Sequence, residues 1–244
     1  MSSVAEQIAR GDVRALARAA TWVENGAAAA APLLQELSGG ARKALVLGIT
    51  GPPGAGKSTL CDQLIRAVRA EGKRVAVIAV DPSSPITGGA LLGDRIRMQG
   101  HYDDPGVFIR SMATRGWHGG LAQATGDLVK LLDAAGYDVV IIETIGVGQA
   151  EVDVARVAGV TVVVLVPGAG DDVQAIKAGI MEIAQVFVIN KADLPGADRL
   201  EQELRSSLAL NGGAVPPIIK VVASEGKGVD ELLTAALDVN KRAN

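Results

Sequence analysis

The chain has 244 residues, 48% hydrophobic and 21% charged, with a formal net charge of −3, two each of Trp, Tyr and Phe, and one cysteine. That length and apolar share support one sizeable α/β core with a small appendage, while the acidic balance and scarce aromatics argue against a nucleic-acid surface or a base-stacking platform. A single cysteine excludes an intramolecular disulfide, no apolar run approaches a membrane span, and no export leader is recognisable, so the expected setting is the cytoplasm.

From the start, residues Ser3 to about Leu37 are predicted as helices. Val4 and Ile8 share a face, Asp12 is placed to cap the stretch carrying Val13, Leu16, Ala17 and Ala20, Gly26 interrupts it, and a third piece ends at Gly39-Gly40. Residues 1–40 are therefore expected to form a helical prefix to a domain spanning 41–244. Strands are predicted at 45–50, 74–80, 107–112, 139–143, 160–166, 186–190 and 218–222, and helices near 57–70, 91–99, 121–135, 150–158, 173–183, 197–210 and 229–241. Most of the strands are continuous Val/Ile/Leu runs, the pattern of a parallel sheet sandwiched by helices. Cys61 falls inside the first of these later helices and reads as a small buried apolar residue. Gly and Pro gather at the carboxyl ends of the strands, where open α/β sheets bind ligands.

The run Gly51-Pro52-Pro53-Gly54-Ala55-Gly56-Lys57-Ser58-Thr59 fits G-x-x-x-x-G-K-[ST] between a predicted strand and a predicted helix, the context a P-loop requires. Backbone N–H groups at Gly54, Ala55 and Gly56 and the helix N-terminus would converge on a triphosphate. Lys57 would reach the β- and γ-phosphates, Ser58 would offer a hydroxyl to Mg²⁺, and Thr59 would lie near the α-phosphate. Later, Asn190-Lys191-Ala192-Asp193 follows another buried strand. An aspartate there accepts from the N1–H and exocyclic amine of guanine together, whereas adenine offers the opposite pattern, so GTP and GDP are the expected nucleotides. Asn190 would bond N7 of the base and hold the loop, and the Lys191 stem would cover ring and sugar. In Val222-Ala223-Ser224, the backbone N–H groups of Ala223 and Ser224 are placed to meet the guanine carbonyl; a plain loop is the alternative.

Mg²⁺ takes hard oxygen ligands, few of them from protein. Ser58, Asp81, Asp94 and Glu143 are the candidates: Glu143 ends a buried run at the Walker B position, Asp81 ends the second strand, and Asp94 follows Thr87-Gly88-Gly89, where helix capping is its alternative role. Gly146 stands where GTPases sense the γ-phosphate through a backbone N–H. Val147 occupies the place of the water-orienting Gln of many small GTPases, and Gln149 is out of register, so slow intrinsic hydrolysis is expected. The loop Pro167-Gly168-Ala169-Gly170-Asp171-Asp172 leads toward Gln174 and Lys177; an ordinary helix start is the alternative reading.

Five runs together, Val80-Asp81-Pro82-Ser83-Ser84-Pro85, Gly93-Asp94-Arg95-Ile96-Arg97-Met98, Phe108–Gly116, Glu143–Gln149 and Pro167–Asp171, resemble the MeaB/ArgK group of P-loop GTPases. The resemblance spans the prefix and the whole GTPase domain. It implies a metallochaperone that uses GTP to gate adenosylcobalamin delivery to an acyl-CoA mutase and to protect or reactivate that enzyme. The implied partners are the mutase's cobalamin-binding domain and an adenosyltransferase. Asp94 would then lie in switch I, residues 143–149 in switch II, and residues 171–177 in a third switch that signals to the mutase. Since Val147 replaces the water-orienting Gln, Lys177, on the same helix face as Gln174, is the candidate cation for a docked mutase to push toward the phosphates; a solvent-exposed helix lysine is the alternative. Lys57, Asp94, Glu143, Gly146 and Lys177 would carry hydrolysis. Two departures stand out: Val222 replaces the family's usual Ser, and the helical dimerisation arm common in the family does not follow Asn244, which puts the usual homodimer in question. Rival readings are another metal-cofactor maturation GTPase, disfavoured by one Cys and two isolated histidines, His101 and His118, and a kinase-like phosphotransferase, disfavoured by the guanine motif.

Overall fold

Among the described residues, seven apolar strands run parallel in one sheet: β1 (Leu45–Thr50), β2 (Val75–Asp81), β3 (Val107–Ala113), β4 (Val139–Thr144), β5 (Val160–Leu165), β6 (Val186–Asn190) and β7 (Ile218–Val221), in the order β3-β2-β4-β1-β5-β6-β7. The computed structural model describes residues 3–38, 44–81, 98–113, 120–144, 150–168, 178–210 and 215–243. Its helices are α1 (Val4–Ala9), α2 (Val13–Glu24), α3 (Ala30–Leu37), α4 (Lys57–Ala70), α5 (Gly120–Ala134), α6 (Ala150–Val157), α7 (Ala178–Ile183), α8 (Ala197–Leu210) and α9 (Val229–Ala243). The strand order places β1 at the centre with β4 and β5 on either side, so the chain changes direction of winding there. The carboxyl end of β1 therefore opens into the crevice where open sheets bind ligands.

Alternation of side chains along each strand divides the core in two. On one face, Leu45, Leu47 and Ile49 of β1 and Val139 and Ile141 of β4 pack against Leu60, Cys61, Leu64 and Ile65 of α4 and Leu232 and Leu233 of α9. On the other, Ala76, Ile78, Phe108, Met112, Val140 and Ile142 pack against Leu128, Leu131 and Leu132 of α5 and against Ile8, Leu16, Ala19, Ala20 and Leu33 of the prefix. Toward β6, Val163, Phe187 and Ile189 meet Leu200 and Leu204 of α8. Cys61 is fully buried, as its position in an apolar helix face requires.

Local capping follows the sequence. Asp12 Oδ1 accepts from the N–H groups of Arg14 at 2.8 Å and Ala15 at 3.0 Å, satisfying two amides that the first turn of α2 cannot pair internally. The prefix is also tied down by charge: Arg110 Nη2 on edge strand β3 donates to Glu24 Oε2 at the end of α2. The strands agree with expectation to within a residue at each end, with β2 and β3 one residue longer at their carboxyl ends and β4 reaching Thr144. Of the helix expected at 91–99, residues 91–97 lie outside the described residues; Gln99–His101 forms a 3₁₀ turn. The helix expected at 173–183 is described from Ala178 onward.

Candidate nucleotide site

The phosphate loop leaves β1 at Gly51, and backbone crowding dictates its glycines. A Cβ on Gly51, at φ +140°, would sit 2.2 Å from the Val164 carbonyl oxygen of β5; one on Gly56, at φ +84°, would sit 2.4 Å from Asn190 Nδ2. Gly56 offers no side chain to cap α4, so the first N–H groups of that helix face the loop, a ready anion site. Lys57, only 6% exposed, folds its side chain back so that Nζ donates to Gly51 O at 2.8 Å and Pro52 O at 3.0 Å. The ammonium is thereby held within the curl of the loop.

Beside it, Ser58 Oγ donates to Glu143 Oε1 at 2.6 Å, with both residues buried. The β1–β4 register pairs Ile49 with Glu143, which brings the carboxylate to the mouth of the phosphate loop. A serine that gives its hydrogen to a carboxylate keeps its lone pairs for a cation, so this hydroxyl–carboxylate pair fits the sparse, hard-oxygen donor set that Mg²⁺ accepts. Among the described residues no group of three or more His, Cys, Asp or Glu converges. Asp81 is the last residue of β2, two positions beyond Ala79, the partner of Glu143 across β2–β4. Its side chain, together with Asp94, Gly146 and Lys177, lies outside the described residues.

On the base side, Asn190 ends β6 and joins three segments. Its Nδ2 donates to Ala55 O of the phosphate loop at 2.8 Å, and its Oδ1 accepts from the Ala223 N–H at 3.1 Å, all within a buried environment. The Ala223 N–H expected to face guanine is therefore engaged by Asn190, and the exposed Ser224 follows it at the rim. Lys191 takes φ +54° and lays its stem across to Gly54, whose carbonyl accepts from Nζ at 3.2 Å. Asp193 is exposed beyond it, and Thr59, also exposed, lies in the first turn of α4. At Val222 the backbone closes the turn: the Val222 N–H donates to Lys227 O at 3.0 Å, and the Glu225 N–H donates to Val222 O at 2.9 Å.

Lys227 stands in the base-side turn near Asp193. Its ammonium pairs with Glu225 at 2.6 Å, and this bond raises its pKa above the usual lysine range, with the charge of Asp193 adding to the effect. The Gly226-Lys227-Gly228 turn was its signal in the sequence, since glycines flanking one cation mark a tight turn that presents it.

A phosphate loop fed by the central strand of an all-parallel sheet, and hydrogen-bonded to an N-K-x-D segment across the crevice, defines a P-loop GTPase. The family model described as Methylmalonyl Co-A mutase-associated GTPase MeaB matches residues 16–243, and the chain belongs to that family. A protein of Pyrococcus abyssi is 57% identical over 233 residues, covering 93% of this chain and 72% of its own length. GTPase ArgK of Escherichia coli is 40% identical over 251 residues, covering 97% of this chain and 76% of its own. Among solved structures, the crystal structure of LAO/AO transport system kinase gives a TM-score of 0.77 at 33% identity, over 98% of this chain and 74% of that one. These results agree with the resemblance drawn from the sequence motifs and with the sandwiched parallel-sheet fold.

Proposed function

We propose that this GTPase uses its nucleotide cycle to gate delivery of adenosylcobalamin to an adenosylcobalamin-dependent acyl-CoA mutase in the cytoplasm, and to protect or reactivate that mutase. The observation that carries this reading is the family match over 16–243, whose description names a mutase association, on a chain with a fully assembled phosphate loop and N-K-x-D link. In the proposed arrangement residues 41–244 form the GTPase domain and residues 1–40 its helical prefix. The mutase's cobalamin-binding domain is the principal partner and an adenosyltransferase a further one.

Within the site, the N–H groups of Gly54, Ala55 and Gly56 bind phosphate oxygens and Thr59 contacts the α-phosphate region. Lys57 exchanges its contacts with the Gly51 and Pro52 carbonyls for phosphate oxygens, lending a buried positive charge where negative charge develops. Ser58 would hold Mg²⁺, with Glu143 accepting the serine hydrogen and orienting it; Asp81 and Asp94 complete the set. Mg²⁺, when bound, neutralises charge on the transferred phosphoryl group. Asp193 reads guanine, Lys191 covers the base, Asn190 holds the phosphate loop and the Ala223–Ser224 turn in register, and Ser224 presents its N–H at the rim. Gly146 senses the γ-phosphate, and Lys177 answers the docked mutase.

The likeness to a transport system kinase favours a second reading as a phosphotransferase. One experiment separates them: the chain is incubated with GTP or ATP, with and without a purified adenosylcobalamin-dependent acyl-CoA mutase. The proposal expects GTP-specific phosphate release accelerated by the mutase. A phosphorylated protein product, or a rate indifferent to every acyl-CoA mutase tried, overturns it.

A further inference from the structure

Two threonines at the mouth of the site have no part in the scheme above. Thr50 is the last residue of β1, immediately before Gly51, and Thr144 is the last residue of β4, immediately after Glu143. Both are almost completely buried, at 0% and 1% exposure. Thr144 Oγ1 donates to Thr50 Oγ1 at 3.0 Å, and the Ile49 carbonyl lies 3.5 Å from the same hydroxyl.

Their placement is what makes the pair informative. The β1–β4 register runs from Leu45↔Val139 to Ile49↔Glu143 and ends there. One residue further, Thr50 leads into the phosphate loop and Thr144 ends β4, and at that level a side-chain bond joins the two strands. Because side chains alternate across a strand, Glu143 turns toward Ser58 on the α4 face, while the hydroxyl pair lies on the opposite face. Glu143 is thus flanked by the ladder before it and the hydroxyl bond after it.

Packing alone does not explain this choice. The rest of β4's buried run is Val139, Val140, Ile141 and Ile142, and valine has the shape of threonine without a hydroxyl to desolvate. Two valines would fill the layer equally well. Paired threonines instead give a directed bond between neighbouring strands.

We infer that Thr50 and Thr144 are positioning residues for GTP hydrolysis, whose hydroxyl bond holds the base of the phosphate loop and the root of the Gly146 segment at a fixed separation. The inference rests on the GTPase site described above and not on the mutase partner. Either threonine touches the reaction only through the loops it anchors.

The test uses the full chain and four variants, Thr144→Val, Thr144→Ser, Thr50→Val and the double valine. Each is measured for single-turnover GTP hydrolysis with Mg²⁺, for GDP affinity and for thermal midpoint. Thr144→Val should hydrolyse GTP roughly fivefold more slowly, the rate equivalent of one ordinary hydrogen bond, with GDP affinity changed less than about twofold. Thr144→Ser should keep the parent rate. The double valine is the decisive variant: with no stranded hydroxyl it should regain the thermal midpoint lost by either single change, yet remain as slow as Thr144→Val. A merely structural pair would show hydrolysis recovering along with stability, and that result, or a parent-like rate in Thr144→Val, overturns the inference. Should Thr144→Val fail to fold, the double valine against Thr144→Ser decides the same question. A parent chain that hydrolyses no GTP refutes the site itself and is recognised before any variant is compared.

Discussion

Asn190→Ala is the most informative single change, because one side chain joins the phosphate loop to the base-side turn. The substitution removes the Nδ2 bond to Ala55 O at 2.8 Å and the Oδ1 bond from the Ala223 N–H at 3.1 Å. Asn190 and Ala223 are each 2% exposed and Ala55 is fully buried, so water cannot readily replace the amide. A stranded buried polar group costs about 1–3 kcal/mol, and two are stranded here, which gives roughly 4 kcal/mol as a central expectation. That is a large part of the roughly 5–15 kcal/mol that holds a typical domain folded. Urea denaturation of nucleotide-free protein should show a lowered midpoint at unchanged slope, and Asn190→Asp should suffer as much, since it retains the acceptor for Ala223 but sets a carboxylate against the Ala55 carbonyl. GDP affinity should fall in both variants. A loss below about 1 kcal/mol in Asn190→Ala would show that the two bonds do not hold the crevice together.

Asp193→Asn should weaken GDP binding roughly 10- to 100-fold by removing a charge-assisted pair of acceptors, and should favour xanthosine diphosphate; equilibrium titration with both nucleotides checks it, and unchanged GDP affinity refutes the assignment. Glu143→Gln keeps an acceptor for Ser58 but removes the charge, so the Mg²⁺ concentration for half-maximal hydrolysis should rise at least about tenfold while GDP affinity changes little. Asp104 is held below the usual carboxylate range by the hydrogen bond from Arg69 and next by that from the Gly106 N–H. Its stabilisation is therefore complete above the unfolded value of about 3.9 and is lost as pH falls through the lower folded value. Asp104→Asn should cost under about 1 kcal/mol at neutral pH, both side chains being partly exposed, and the difference from the parent should vanish in denaturation series carried to still lower pH.

The strands were legible because a parallel strand buried on both faces leaves a continuous apolar run, as in Val160–Leu165 and Val186–Asn190. The phosphate loop was legible because its Gly, Lys and Ser spacing is contiguous in the chain, although the crowding that requires glycine at 51 and 56 comes from distant Val164 and Asn190. What the sequence could not display is pairing across long separations: Ala55 with Asn190 and Thr50 with Thr144 each join residues far apart in the chain, whereas Ser58 and Glu143 were brought together only through the cation both were expected to hold. No periodicity records such contacts. For the Ala223 N–H the sequence left guanine contact and a plain loop both open, and the approach of Asn190, which accepts from it, is a long-range contact of the same kind.

The docking of the prefix sets an order of events during synthesis. Helices α1 to α3 are made first, yet their apolar partners Phe108, Met112, Leu128 and Leu132, and the cation that receives Glu24, are all encoded roughly a hundred residues later. At ordinary elongation speeds of about 5–20 residues per second, the prefix must wait roughly 5–20 s on the ribosome before its binding surface exists. During that interval Leu16, Ala19 and Ala20 of α2 have only the rest of the prefix, such as Ile8 and Leu33, to pack against. Slowed translation between the codons for α3 and α5 should therefore lengthen the period in which the nascent chain depends on chaperones, whereas the same slowing after α5 should leave it unaffected.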